Sequence, residues 1–258
     1  MILPDYPKGR ALLAGKTVLV TAAAGTGIGF ATARRCAEEG ARVMLSDAHA
    51  RRLGESAEEL SKLVGERVPQ RACDVTREED VRALVEAAVR ELGHVDVLVN
   101  NAGLGGTAAV VDMSDEQWHK VLDVTLTGTF RMTRAMLPHM LARRSGAIVN
   151  NASVLGWRAQ PEQSHYAAAK AGVMAFTRCV AMEAAPSGVR VNAVAPSLAM
   201  HPFLSKVTSE ELLENLTRRE AFGRAAEPFE VANVIVFLAS DYASYMTGES
   251  VSVSAQHP

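Results

Sequence analysis

The stretch Y-A-A-A-K, Tyr166 to Lys170, holds the residues whose types and spacing point most directly to chemistry. On a helix, a tyrosine and a lysine at i and i+4 share one face. The Lys170 ammonium there favours the Tyr166 phenolate. Moving a tyrosine from a pKa near 10 toward 7 takes ~4 kcal/mol of differential stabilisation. A nearby cation in a partly dry site supplies much of that. Such a tyrosine can pass a proton to or from an alcohol oxygen. Ser153 stands thirteen residues earlier, just past an apolar run, and can hydrogen-bond the same oxygen. The plain alternative is an exposed helical pair. It weakens because both sites fall at the carboxyl ends of expected strands, where phosphate-binding turns also lie.

The elements that must position these groups are legible as short apolar runs alternating with helical patterns. Strands are expected at Thr17–Val20, Arg42–Ser46, Val68–Cys73, Val95–Asn100, Ala147–Asn151, Arg190–Val194 and Ser250–Val253. The central runs are rich in Val, Ile and Leu without alternation, as in strands buried on both faces. Helices are expected at Ile28–Glu39, Ala50–Leu63, Glu78–Leu92, Asp115–Arg143, Ser164–Ala185 and Glu227–Ser240. Thr76 with Glu79, and Ser114 with Gln117, have capping-box spacing. Gly40 and Gly93 read as helix stops. Pro138 is placed to kink or end the long fourth pattern. Repeated β-α-β units predict an α/β fold: one doubly wound, mainly parallel sheet with helices on both faces. We expect an N-terminal arm over 1–14, one domain over 15–258, and a lid or substrate loop inserted at 197–224.

The first strand leads into T-A-A-A-G-T-G-I-G, Thr21 to Gly29. Gly25, Gly27 and Gly29 alternate around Thr26 and Ile28, but the strict G-x-G-x-x-G fingerprint is absent, so the turn alone reads as either a tight turn or a phosphate cradle. Asp47 ends the second strand about 20 residues beyond the glycines, where a carboxylate bonds a ribose 2′-hydroxyl. It would repel a 2′-phosphate, which favours NAD(H); Arg51 and Arg52 nearby leave NADP(H) open. Asp47 can equally cap the next helix. Asp74 either meets an adenine edge or ends the third strand. N-N-A-G, Asn100 to Gly103, either lies along a cofactor or forms a plain turn.

Composition narrows the field. Of 258 residues, 48% are apolar, enough for a large core, and no apolar run approaches the ~20 needed to span a bilayer. The net charge of −2 carries no nucleic-acid footprint. Cys36, Cys73 and Cys179 cannot all pair and have no C-x-x-C spacing, which suits reduced thiols in a cytoplasmic protein. The histidines show no metal-ligand spacing.

Taken together, the chain resembles the short-chain dehydrogenase/reductase family from Gly15 to about Val253. The resemblance rests on T-A-A-A-G-T-G-I-G, Asp47, C-D-V-T, N-N-A-G, Ser153 with Y-A-A-A-K, R-V-N-A-V-A-P, G-R-A-A-E-P, F-L-A-S-D and M-T-G-E. It implies a seven-stranded Rossmann-type sheet, a nicotinamide cofactor, alcohol–ketone chemistry and a dimer or tetramer. It carries the acid–base role to Tyr166, cofactor-ribose binding and pKa lowering to Lys170, and substrate-oxygen contact to Ser153. It places Asp74 and Val75 by the adenine, and Asn101, Ala102 and Gly103 along the cofactor; Pro196 is taken as a further cofactor contact.

Four departures stand out. The first turn is one residue longer than usual and lacks its first glycine. Thr125 replaces the fourth catalytic residue, an asparagine that acts through its backbone carbonyl on a water beside the lysine. P-S-L-A-M-H, Pro196 to His201, replaces P-G-x-x-x-T, so His201 either meets the nicotinamide carboxamide or is a surface histidine. S-A-Q replaces the final D-G-G. Specificity is expected in Leu104–Gly106, Val154–Arg158 and 197–224, whose Leu104, Trp157, Met200, Phe203, Leu204 and Phe222 suit a bulky hydrophobic ketone or alcohol. The motifs are similar to an actinobacterial branch linked to steroid C/D-ring breakdown, which implies ring substrates carried as coenzyme A thioesters. An NADPH-dependent 3-oxoacyl-thioester reductase and a non-catalytic dinucleotide-binding regulator are the competing readings.

Overall fold

A computed structural model describes residues 5–200 and 210–255. Seven parallel strands form one sheet: β1 (Thr17–Val20), β2 (Arg42–Asp47), β3 (Gln70–Ala72), β4 (Val97–Asn100), β5 (Gly146–Asn151), β6 (Val189–Pro196) and β7 (Ser250–Val253), in the order β3-β2-β1-β4-β5-β6-β7. The apolar runs have the expected cause. In β1, Val18 and Val20 join the core on one face, while Leu19 joins the core on the other. Helices α1 (Ile28–Glu38), α2 (Ala50–Val64), α3 (Glu78–Leu92), α4 (Asp115–Leu122), α5 (Gly128–Arg143), α6 (Ser164–Ala184), α7 (Glu210–Arg219) and α8 (Pro228–Ala239) connect and cover the strands.

Strand order reverses between β1 and β4. The crevice outside the carboxyl ends of such strands is where open α/β sheets bind ligands. The register aligns Val20 with Val99, Asn100 with Asn150, and Asn151 with Val194. Thr21, Asp47, Asn101, Ser153 and Pro196 therefore converge on one edge.

Three local expectations need correction. The third strand is only Gln70–Ala72, because this edge strand pairs on one side alone and its residues are exposed. Thr76 does not cap α3; its hydroxyl donates to Asp74 Oδ1 at 2.7 Å, and Arg77 takes the N-cap position without a side-chain bond. The long 115–143 pattern is split by a π turn at Asp123–Thr127, whereas Pro138 sits inside α5 without ending it. Gly128 is required after the turn, since a Cβ there would lie 2.6 Å from Val75 Cγ2. The Ser114–Gln117 capping box forms as expected. The 197–224 segment carries α7, and Ala199 bridges Ala226. His201, Phe203, Leu204 and Gln256 lie outside the described residues.

Candidate active site

The opening turn begins at Thr21, whose hydroxyl accepts the N–H groups of Asn101 at 3.0 Å and Ala102 at 3.2 Å. Ala22 stands where the first glycine was expected and takes φ +48°, a left-handed conformation. Such a conformation costs an L-residue about 1–2 kcal/mol. Its carbonyl accepts Asn101 Nδ2 at 3.0 Å, which holds the turn in that shape. Ala22→Gly should therefore stabilise the protein by up to about 1 kcal/mol, read by urea denaturation; a loss of stability would mean the strain is not there. Gly25 follows at φ +84°. Gly29 has no room for a side chain: a Cβ would lie 2.1 Å from the Ala22 carbonyl oxygen.

Beyond the turn, α1 starts with Gly27 at its N-cap, no side-chain cap and no acidic residue in its first turn. A helix start of this kind offers N–H groups and a partial positive charge to an anion. The residues present thus fit a dinucleotide pyrophosphate. Asp47 is held beside it, accepting Ala24 N–H at 3.1 Å and His49 N–H at 2.8 Å. The second bond is a local turn ahead of α2 and not a cap: His49 takes the N-cap position of that helix, with no side-chain cap bond, so the capping alternative for Asp47 is corrected. A carboxylate offers about four acceptor sites, so capacity for ribose hydroxyls remains. Asp74 Oδ1 accepts the Thr76 N–H and hydroxyl. Val75 is buried against Gly128, and Pro196 is buried at the end of β6.

At the other side of the crevice, Ser153 follows β5 and Tyr166 and Lys170 lie on α6. The Ser153 side chain faces the Tyr166 hydroxyl, and its Oγ accepts Leu155 N–H at 3.2 Å. Lys170 is 3% exposed; its Nζ donates to the Asn151 carbonyl at 2.5 Å and lies 5.5 Å from the Tyr166 ring centroid. The expected lowering of the tyrosine pKa is not found in the protein alone. Burial pushes Tyr166 up, with the Ser153 side chain opposing it, and burial pushes Lys170 down to about 8. The helix brings the two side chains together, but desolvation dominates the shift of each.

The site has members that the sequence reading did not single out. Asn151 Nδ2 donates to Asn101 Oδ1 at 2.8 Å, so a polar chain runs from Ala22 through Asn101 and Asn151 to Lys170. Beneath it, Asn100 donates to Thr133 and Asn150, and Asn150 to Thr177. The repeated N-N-A after two apolar runs, at Asn100 and Asn150, was the available signal. Thr125 is fully buried in the π turn. Its carbonyl accepts the Thr129 hydroxyl at 2.8 Å, and its own hydroxyl bonds Leu104.

The family model described as Enoyl-(Acyl carrier protein) reductase matches residues 22–255. The chain is 62% identical over 258 residues to the (5R,7aS)-5-hydroxy-7a-methyl-1-oxo-2,3,5,6,7,7a-hexahydro-1H-indene-carboxyl-CoA reductase of Mycobacterium tuberculosis, covering 100% of this chain and 98% of the relative. This chain belongs to the short-chain dehydrogenase/reductase family. A 3-oxoacyl-(acyl-carrier-protein) reductase of Thermotoga maritima is 42% identical over 241 residues, 93% of this chain and 97% of the relative. The crystal structure of a short chain dehydrogenase from Mycobacterium smegmatis superposes with TM-score 0.88 at 58% identity, covering 99% of this chain and 98% of that one. As a member of the family, the protein is an oxidoreductase that interconverts secondary alcohols and ketones with a nicotinamide dinucleotide. No helix among the described residues is long and apolar enough to cross a membrane.

Proposed function

We propose that this short-chain oxidoreductase uses NAD(H) to interconvert a ring ketone and its secondary alcohol on a bulky, steroid-derived coenzyme A thioester. The observation that carries the chemistry is the Ser153–Tyr166–Lys170 cluster, set across the crevice from an uncapped helix start. The ring substrate is supported by the mycobacterial relative's substrate and by the exposed Trp157 and Phe222, which offer apolar surface on segments expected to face substrate.

In this reading, the N–H groups of Gly25, Thr26, Gly27, Ile28 and Gly29 hold the pyrophosphate. Asp47 binds the adenosine ribose, Asp74 and Val75 flank the adenine, and Asn101, Ala102, Gly103 and Pro196 line the rest of the cofactor's course. The nicotinamide, when bound, supplies or receives the hydride. Ser153 orients the substrate oxygen. In reduction, Tyr166 gives its hydroxyl proton to that oxygen as the carbinol forms. Lys170 binds the nicotinamide ribose and restores the Tyr166 proton. Its lowered pKa of about 8 makes its proton easier to give than an ordinary lysine's. The protein acts in the cytoplasm as a homodimer or homotetramer; the exposed Phe130 and Met182 on α5 and α6 give apolar surface for self-association.

Cofactor titration tests the NAD(H) assignment. Wild type should favour NADH over NADPH by roughly tenfold or more in kcat/KM, and Asp47→Asn should narrow that margin by removing repulsion from a 2′-phosphate. Preference for NADPH, with turnover of linear 3-oxoacyl thioesters and none of bicyclic ones, would overturn both cofactor and substrate assignments.

A further inference from the structure

Loop 103–106 lies along the reactive face of α6 in register. A Cβ on Gly103 would lie 3.4 Å from Lys170 Nζ, one on Gly105 3.8 Å from Tyr166 Cδ2, and one on Gly106 3.1 Å from His165 Nε2. The loop's glycines thus let the backbone approach consecutive groups of the helix, running antiparallel to it. Leu104 stands between them, and its backbone is gripped twice by one side chain. The Thr125 hydroxyl accepts Leu104 N–H at 3.0 Å and donates to Leu104 O at 3.2 Å. Thr125 is itself fixed: it has no exposed surface, and it sits in the π turn between α4 and α5.

We propose that Thr125 is a positioning residue whose hydroxyl sets the register of loop 103–106 against Tyr166 and Lys170. The proposal rests on the assignment of proton transfer to Tyr166. A one-hydroxyl clamp explains why a threonine serves here: it needs one donor and one acceptor on a single atom, which a hydroxyl supplies. Small displacements of groups that bound a reacting centre are costly to turnover, even where binding is kept.

The test compares Thr125→Val, which removes the hydroxyl at similar volume, with Thr125→Ser, which keeps it. Ketone reduction is followed by nicotinamide absorbance, and NADH binding by fluorescence titration. The valine variant should lose roughly 10- to 100-fold in kcat while the NADH dissociation constant stays within about twofold. Thr125→Ser should recover turnover to within about threefold of wild type. Wild-type kcat in the valine variant, equal losses in valine and serine variants, or a loss wholly in NADH binding would each overturn the proposal. If circular dichroism shows the valine variant unfolded, Thr125→Ala takes its place against the same outcomes. Tyr166→Phe, assayed alongside, separates the two assignments. An active Tyr166→Phe enzyme breaks the proton-transfer reading. An inactive one beside a fully active Thr125→Val breaks only the clamp.

Discussion

Tyr166→Phe should lower kcat by roughly 10²- to 10⁴-fold, the range that a positioned proton donor contributes. The hydroxyl removed faces Ser153, and the ring's approach to Lys170 survives in phenylalanine. NADH affinity and thermal stability should therefore change little. Measured turnover within about threefold of wild type would remove Tyr166 from the mechanism. A parallel collapse of NADH binding would show instead that the ring shapes the cofactor site.

Lys170→Met should abolish most activity and yet stabilise the protein near neutral pH. Taking an ammonium out of water is costly, and among the described residues the Lys170 Nζ donates to one acceptor, the Asn151 carbonyl. Burial moves its pKa from the ordinary 10.5 to about 8. Below about pH 8 both folded and unfolded chains carry the proton, so the folded state bears the whole cost. Between 8 and 10.5 the folded chain releases the proton while the unfolded chain keeps it, and wild-type stability gains with rising pH from this group. A depression of that size corresponds to about 3 kcal/mol. The stability advantage of Lys170→Met over wild type should thus shrink by about that amount between neutral pH and pH 10.5. Urea denaturation at several pH values measures it. A difference that does not change with pH would show that the lysine is well hydrated in the folded protein.

Much of the fold was legible because strands buried on both faces must be continuously apolar. Val18, Leu19 and Val20 show this directly, serving two cores at once. The same logic put Ser153 and Asp47 at strand ends. Features that failed depend on competition or on distant contacts. The Thr76 cap was lost because Asp74, two residues away, captured the hydroxyl. The π turn is invisible in the helical period, since it answers to Val75 against Gly128 and to Leu104 against Thr125. Left-handed Ala22 could not be read from its residue type, which disfavours that conformation; it is held by Asn101, about 80 positions away in sequence. The direction of the Tyr166 shift was missed because spacing reveals a neighbouring charge but not the depth of burial.

The pyrophosphate turn, the Tyr166 centre and the ring substrate meet in one measurement. The bicyclic ketone thioester is reduced with NADH deuterated at the transferred position, and the product is analysed by NMR. Deuterium on the carbinol carbon, at a rate that falls in Tyr166→Phe, is the predicted result. Deuterium on an alkyl carbon from reduction of a carbon–carbon double bond, or none in the product, would contradict the account.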